Sequence, residues 1–286
     1  MKSKATDRLA TAFFWGIGLL ILFILVWFLW HILGAGVPHL SWDFIAGEPE
    51  EMIEGGGVGP QLFNSFYLLF LSLLFSIPFG IGAGVWLSEY AKKNWFTDLV
   101  RISTEMLASV PSIVFGLFGM LLFVTVFGFG FTILGGALTL SLLNLPVLVR
   151  VTEETLRAVP TSYREASAAL GATKWQTIRK VLIPSALPGL VTGVTLVAGR
   201  ALGESAILIF TAGVTVSRFA PDLNLFASGE TLSVHLWYVR AEGLVPDAMQ
   251  IAEGTAALLV LVVLALNLLI AIPSRLMQRK MTGKSS

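Results

Sequence analysis

The sequence predicts an all-α integral membrane protein built from six transmembrane helices. Of its 286 residues, 55% are hydrophobic and 13% are charged, whereas a soluble domain carries about 25% charged residues. The mean hydropathy is +0.81. Six apolar stretches approach the roughly 20 residues that a helix needs to cross the hydrocarbon core of a bilayer. Composition and segment length together therefore define the fold class.

The first predicted span covers residues 10–33 and is too long for the core of a signal peptide, so we expect it to remain as an anchor. Pairs of glycines four residues apart, such as Gly80 and Gly84, predict close packing between spans. We divide the chain into an anchor with its loop, a membrane-spanning core and a short cytoplasmic tail, at 1–61, 62–278 and 279–286. The other five spans are predicted at 62–88, 106–127, 131–149, 187–212 and 255–273.

The positive charges predict the orientation of these spans. With the N-terminus inside, sixteen of the 19 lysines and arginines fall in inside segments. Only Arg218 and Arg240 fall outside, and Arg200 lies within the fifth span. Because inside loops of membrane proteins are enriched in lysine and arginine, we expect a multi-pass protein of the cell (inner or plasma) membrane, embedded in lipid, with both termini in the cytoplasm.

One sizeable polar block separates the fourth and fifth spans. Ser162 and Glu165 have the spacing of a capping box and predict the start of a short helix. Gly171 stands where that helix would end in a left-handed residue. The same capping spacing recurs from Thr173, and Pro184 is expected to end the second helix. The block is therefore predicted to form two short helices joined at a glycine, on the cytoplasmic side.

This block, residues 159–186, resembles the EAA loop of ABC-importer membrane subunits. Glu165 and Ala166 match the start of the E-A-A pattern, although serine replaces its second alanine. Gly171 and Pro184 match the glycine and the final proline of the pattern. The resemblance implies a type I ABC-importer permease bundle, in which these four residues belong to cytoplasmic coupling helices that dock into an ATPase. An ordinary amphipathic pair of surface helices is the alternative.

Two charges inside the fifth span form the candidate binding site. Arg200 and Glu204 are four residues apart and would lie on one face of a continuous helix. A charge at bilayer depth costs about 3 kcal/mol on insertion scales. One interpretation is a structural ion pair. The other is an anion site, in which Arg200 offers forked donors to an oxyanion. Glu204 would then orient Arg200 and accept a hydrogen bond from a protonated anion, which favours phosphate over sulfate.

A second resemblance covers the chain from about residue 55 onward. The segment from Arg200 to Ser205 looks like the R-x-x-G-E-[TS] segment of phosphate-importer permeases, and the region after Thr231 resembles their PstA subunit. The resemblance implies import of inorganic phosphate. It also implies three partners: a homologous PstC-like permease, a PstB-like ATPase dimer and a PstS-like extracytoplasmic binding protein. Arg150 matches an arginine that the family ties to phosphate passage, although it lies roughly 28 Å along its span and could be a surface anchor.

Several kinds of chemistry are not expected. The chain has no cysteine, and its three histidines are far apart, so we expect neither a metal site nor a bound cofactor. The tail around Lys284 ends like a phosphate-binding loop, but Gln278 replaces the glycine that this motif needs. We therefore expect no ATP site, no catalytic residue and no nucleic-acid partner, and we expect the chain to be a transport subunit rather than an enzyme.

Other transport functions remain as alternatives. A secondary transporter would usually show inverted internal repeats, and none is apparent in the sequence. A channel or a membrane adaptor would keep the charged pair as structure. A permease for sulfate, phosphonate or oligopeptides would share the polar block but not the other matches to phosphate permeases.

Overall fold

The computed structural model describes residues 2–50, 54–215, 221–243 and 245–281, which contain helices, turns and bends and no strand. The predicted all-α class is confirmed. Arg218 and the end of the predicted tail, from residue 282, lie outside the described residues.

The first predicted spans correspond to long helices. Helix α1 covers Lys2–Gly36, a short α2 covers Trp42–Ala46, and α3 covers Gly59–Val85. The π-helical segment Trp86–Tyr90 continues α3. By length and hydropathy the described residues contain five helices able to cross a membrane, or six if one bent pair counts as a span.

The bent pair stands where the third span is predicted at 106–127. Helix α4 (Trp95–Ser109) and α5 (Ser112–Gly119), the latter prolonged by π-helical Met120–Val126, meet at 98°. The predicted start of the span is therefore wrong, because the chain turns at Pro111. A proline disfavours the helical conformation of the residue before it, and Val110 is extended.

The remaining elements begin with α6, whose first turn is capped by Thr132, the acceptor for the Gly135 amide. Two short helices and the π-helical segment after them form the helical part of the polar block, at residues 161–182. After them, the predicted fifth span is divided into two helices. The elements from α6 onward are α6 (Ile133–Ala158), α7 (Thr161–Ala169), α8 (Lys174–Thr177), π-helical Ile178–Leu182, α9 (Ile183–Leu202), α10 (Ala206–Thr211), α11 (Leu232–Glu242) and α12 (Ala248–Met281).

Helices α3 and α6 pack side by side in a parallel orientation. A Cβ atom added at Gly80 would lie 2.6 Å from Cβ of Leu148, and Gly84 faces Thr152. The residue numbers of the facing pairs rise together, so the two helices run in the same direction. The glycines therefore let the two helices approach closely, as their spacing predicts. Because α3 and α6 run in the same direction, the chain must return across the bundle between them. Helix α5 and its π-helical extension, which together are shorter than α3 or α6, make this return.

The bundle has two distinct ends. At the block end, the polar block packs against the ends of α3 and α6. At the far end, Gly36 of α1 contacts Glu253 near the start of α12, and Gly229 contacts Ile133 at the start of α6. Helix α1 packs against α12 and is otherwise largely exposed. The largest apolar cluster lies between these ends and joins α3, α6, α9 and α10.

Candidate functional site

The first helix of the polar block starts one residue before the predicted cap. It begins at Thr161, and Pro160 occupies the cap position with no side-chain hydrogen bond. The predicted capping box of Ser162 and Glu165 is therefore wrong. Pro160 is extended, with φ −54° and ψ 140°, and accepts a hydrogen bond from the Tyr163 amide. Ser162 consequently lies inside the first turn, where it cannot act as the cap.

The joint between the two block helices agrees with the sequence. Gly171 adopts φ +77°, and a Cβ atom there would meet nothing within 4 Å. The predicted left-handed residue is confirmed, and backbone conformation rather than space demands glycine. The capping box of α8 is also confirmed. The Thr173 hydroxyl accepts from the Gln176 amide at 3.3 Å, and the Gln176 side chain accepts from the Thr173 amide at 2.9 Å.

Pro184 does not end the second block helix. The helical run continues from Lys174 to Leu202 through the π-helical segment Ile178–Leu182. The Ile183 amide bonds to the carbonyl of Ile178, and Pro184 then falls in the first turn of α9. A proline is tolerated at that position because the first helical turn does not need its missing N–H. The block is thus joined to α9 without a break.

The block has a buried and an exposed side. On the buried side, the hydroxyls of Ser167 and Thr177 lie 2.9 Å apart and link α7 to α8. Ile178 and Leu182 are fully buried beside Leu156 at the end of α6. Rigid-body movement of the block would therefore be transmitted to these helices.

The exposed side contains the residues predicted to couple to an ATPase. Glu165 and Ala166 are exposed on α7. Leu170 is 89% exposed and Trp175 is 56% exposed, so large apolar side chains also face outward at this end of the bundle. Large apolar side chains exposed among charged ones are typical of a protein-binding site.

The predicted pair of Arg200 and Glu204 is not formed. Helix α9 ends at Leu202, and Glu204 lies in the break before α10. Neither side chain makes an ion pair or a hydrogen bond to any residue that the structure describes. The prediction of one continuous helix face is therefore wrong. Arg200 is exposed on the last turn of α9, while Glu204 is only 9% exposed.

Tertiary packing explains the break. A Cβ atom at Gly116 would lie 2.9 Å from the carbonyl oxygen of Ala206, so this glycine lets α10 approach α5 closely and leave the axis of α9. The Ser233 hydroxyl donates to the carbonyl oxygen of Glu204 at 2.9 Å and satisfies a backbone group at the break. Gly203 is the local sequence signal for the break, but the residues of α5 and α11 that stabilise it, Gly116 and Ser233, are distant in sequence.

The break lies near the middle of the bundle. Helices α6 and α9 are antiparallel, since Gly189 faces Thr155 and Gly193 faces Val151. Continuing this register places Arg200 level with residue 144, near the midpoint of α6. Non-helical backbone at membrane depth occurs only where it is enclosed in protein or lines a cavity. A charge at that depth faces protein or water rather than lipid.

A cavity of about 480 Å³ opens at this break. It offers one guanidinium and two hydroxyl groups, and Trp237 and Leu259 provide apolar walls. Sequence reasoning missed Arg240, Ser205 and Ser233, because it assigned Arg240 to an outer loop and read the fifth span as unbroken. The polar groups of the cavity are the side chains of Ser205, Ser233 and Arg240.

A buried polar network holds α11 in place beside the cavity. The Gln61 amide donates to the Glu230 carboxylate at 2.9 Å, and Nδ1 of His235 lies 3.1 Å from the same oxygen. Asn64 donates to the carbonyl oxygen of Glu230 at 3.1 Å. These contacts fix the start of α11 against α3, and they therefore position Ser233 at the break.

Arg150 lies apart from Arg200. Its guanidinium donates to Glu154 at 2.8 Å, and both side chains are more than half exposed. In the α6–α9 register Arg150 is level with residue 194, which is six residues, or about 9 Å, closer to the block end than Arg200. The chain on its own does not gather the two arginines into one site.

Comparisons with known proteins agree with this architecture. Residues 76–283 match the family model described as "Binding-protein-dependent transport system inner membrane component". The chain is 46% identical over 293 residues to a probable ABC transporter permease protein, YqgI, of Bacillus subtilis, with 99% of this chain and 100% of the relative covered. It is 36% identical to the phosphate transport system permease protein PstA of Haemophilus influenzae, with 86% of each chain covered.

A solved structure shows the same fold at low identity. It is the crystal structure of a bacterial ABC transporter involved in the import of the acidic polysaccharide alginate. The match has a TM-score of 0.63 at 15% identity and covers 91% of this chain and 95% of that chain. The predicted type I ABC-importer permease bundle is thereby confirmed as a fold.

Proposed function

Because the chain belongs to the family of binding-protein-dependent transport system inner membrane components, we propose that it is the permease subunit of an ATP-driven importer of inorganic phosphate. The multi-pass membrane location follows from the family and the spans. The substrate is our inference from the site. It is supported by the likeness to phosphate permeases at 32–39% identity.

The substrate assignment rests on the unpaired guanidinium of Arg200. A guanidinium without a partner on the described chain lies at mid-bundle depth, beside a helix break. Its fork of donors matches a tetrahedral oxyanion. Its charge also offsets the partial negative charge at the C-terminus of α9. Because it is free of Glu204, Arg200 is available to an anion.

Glu204 takes a narrower role than the sequence predicted. It does not orient Arg200, but its nearly buried carboxylate lies two residues from Leu202, at the same break. A carboxylate there repels a fully deprotonated anion and accepts a hydrogen bond from a protonated one. We therefore propose that Glu204 favours protonated phosphate over sulfate. We also propose that Arg150 contacts the substrate at a point closer to the block end.

The partners follow from the same proposal. Arg200 is exposed on the isolated chain, so a second, homologous permease would complete the path around it. The exposed face with Glu165, Leu170 and Trp175 would receive an ATPase on the cytoplasmic side. A phosphate-binding protein would deliver the substrate at the far end.

Reconstitution tests the function. The chain is assembled in proteoliposomes with a homologous permease, an ATPase and a phosphate-binding protein from the same organism, and uptake of radiolabelled phosphate is measured with and without ATP. We expect uptake that requires ATP and the binding protein and that excess phosphate, but not excess sulfate, abolishes. Phosphate uptake driven by an ion gradient without ATP would contradict the proposal.

Thiol labelling tests the orientation. The chain has no native cysteine, so single cysteines can be introduced against a clean background. We expect Glu54→Cys, at the far end, to react with an impermeant thiol reagent applied to intact cells. Leu170→Cys, on the block, should react only after permeabilisation. The opposite pattern would place the block outside and remove the basis for ATPase coupling.

A further inference from the structure

Two contacts connect the polar block to the end of α3. From α7, Arg164 donates to the two carboxylate oxygens of Glu89, at 2.7 and 3.3 Å. From α8, the ammonium of Lys174 lies 4.6 Å from the centre of the Tyr90 ring. Glu89 and Tyr90 both belong to the π-helical segment Trp86–Tyr90. Both helices of the block therefore contact the same short segment.

Arg164 is nearly saturated by its contacts. Besides the bonds to Glu89, it donates to the carbonyl oxygens of Val159 and Leu156, each at 2.9 Å. One guanidinium thus bridges α7, the end of α6 and the end of α3. The Glu89 side chain is only 8% exposed. A forked, charge-assisted contact of this kind fixes direction as well as distance.

The segment that receives these contacts differs from the helix before it. Its π-helical turn is closed by the Ala91 amide, which bonds to the carbonyl of Trp86 at 2.8 Å. Such turns often occur at functional sites. Arg101 of α4 adds a third contact by donating to the carbonyl of Leu87 at 3.3 Å. Movement of the block, of α4 and of α3 is therefore linked through five residues of chain.

We propose that Arg164 and Glu89 are positioning residues that transmit movement of the polar block to α3 during transport, an inference that rests on the proposed ATP-driven function. When the ATPase displaces the block, this pair pulls on the end of α3. Helix α3 packs along α6, which packs against α9 and the break beside Arg200. The Arg164–Glu89 pair thus begins a continuous route from the ATPase face to the candidate anion site.

Glu89→Gln separates transmission from anchoring. It removes the charge on α3 but leaves the bonds from Arg164 to Leu156 and Val159, so the block stays attached to α6. We expect basal ATP hydrolysis by the assembled transporter to remain within about twofold of the native rate. Stimulation of hydrolysis by the loaded binding protein, and phosphate uptake, should each fall by about 2- to 30-fold, the range observed for residues along coupling routes.

Three further variants make the test specific. Glu89→Asp keeps the charge and should recover part of the stimulation. Arg164→Lys keeps a charge but loses the fork, and it provides the test if Glu89→Gln fails to assemble. Arg157→Gln is the matched control, because Arg157 pairs with Glu153 at 2.8 Å at the same end of the bundle without contacting α3. It should stay close to native in hydrolysis, stimulation and uptake.

Each outcome has a defined meaning. Native stimulation and uptake in well-assembled Glu89→Gln or Arg164→Lys would overturn the proposal. An equal loss in Arg157→Gln would also overturn it, by showing that any ion pair at this end matters. The native transporter separates this proposal from the proposed function. If the native protein imports a different solute with ATP, the phosphate assignment fails. Uptake of that solute is then measured for the same variants.

Discussion

The charged residues at the block end and those at the mid-bundle break are arranged in opposite ways. At the block end, arginines and glutamates form ion pairs between helices, such as Arg101 with Glu153 and Arg164 with Glu89, at 2.7–2.8 Å. At the break, Arg200 and Glu204 are close in sequence and remain unpaired within the described chain. Paired charges fix helices to one another, whereas an unpaired arginine at membrane depth still needs an anion. The comparison assigns mechanical linkage to one region and binding to the other.

The largest effect should come from removing the unpaired charge. Arg200→Gln is expected to lower phosphate uptake by at least about 30-fold, because loss of one partner of a hydrogen-bonded charge pair costs about 2–5 kcal/mol. Arg200→Lys should retain part of the activity, since it keeps the charge without the fork. Uptake is measured in proteoliposomes at matched protein amounts.

Leu196→Gln provides the control for that measurement. Leu196 is 63% exposed on the same face of α9, one turn before Arg200, and carries no charge. It should leave uptake within about twofold of native. Equal losses in both variants would indicate that this face only packs against a partner.

A smaller effect is expected from the joint of the block. Gly171→Leu forces a left-handed conformation that costs about 1–2 kcal/mol, which corresponds to about a five- to thirty-fold shift in population. Gly128→Leu is a matched control, because Gly128 has φ +70° and also has nothing within 4 Å of an added Cβ. It lies in the loop before α6, away from the block.

The two glycine variants are compared in uptake and in thermal unfolding. Both should lose similar stability, and only Gly171→Leu should lose uptake and the response of ATP hydrolysis to the binding protein. Normal uptake by Gly171→Leu at normal expression would refute the coupling role of the block.

The smallest effect is expected from variants at the starts of the two helices of the block. Thr173→Ala removes the cap of α8 and should destabilise it by about 1 kcal/mol. Ser162→Ala should change stability by less than about 0.5 kcal/mol, because Ser162 caps nothing. Thermal unfolding in detergent compares the two. A larger loss from Ser162→Ala would mean that the sequence pattern, and not the observed helix start, describes α7.

The same comparison explains what sequence alone could predict. Gly171 and Thr173 act through their own backbone neighbours, so their roles were readable from local spacing. The break after Leu202 depends on α10 packing against Gly116 and on Ser233 bonding to Glu204. These partners lie tens of residues away, and the apolar sequence across the break resembles an unbroken span. Pro111 shows the intermediate case, because the sequence places a proline inside the predicted third span but does not reveal the 98° turn at it.

The candidate site was predicted in part for the same reason. Arg200 and Glu204 stood out because charges are rare inside apolar stretches. Their pairing was inferred from helical spacing, and it failed once the helix ended between them. Arg240 and the two cavity serines were missed, since only the folded chain brings α11 beside the break.

The most direct test of the binding role is the double variant Arg200→Gln/Glu204→Gln, with phosphate uptake and thermal unfolding measured beside each single variant. Arg200 and Glu204 form no ion pair in the described chain. If both charges serve only packing in the assembled transporter, two neutral amides can replace them, because losing both charges is less harmful than losing one. They cannot replace an arginine that binds the substrate. We predict a folded double variant that is as inactive as Arg200→Gln. A folded double variant that imports phosphate at the native rate would contradict the assignment of Arg200 to anion binding.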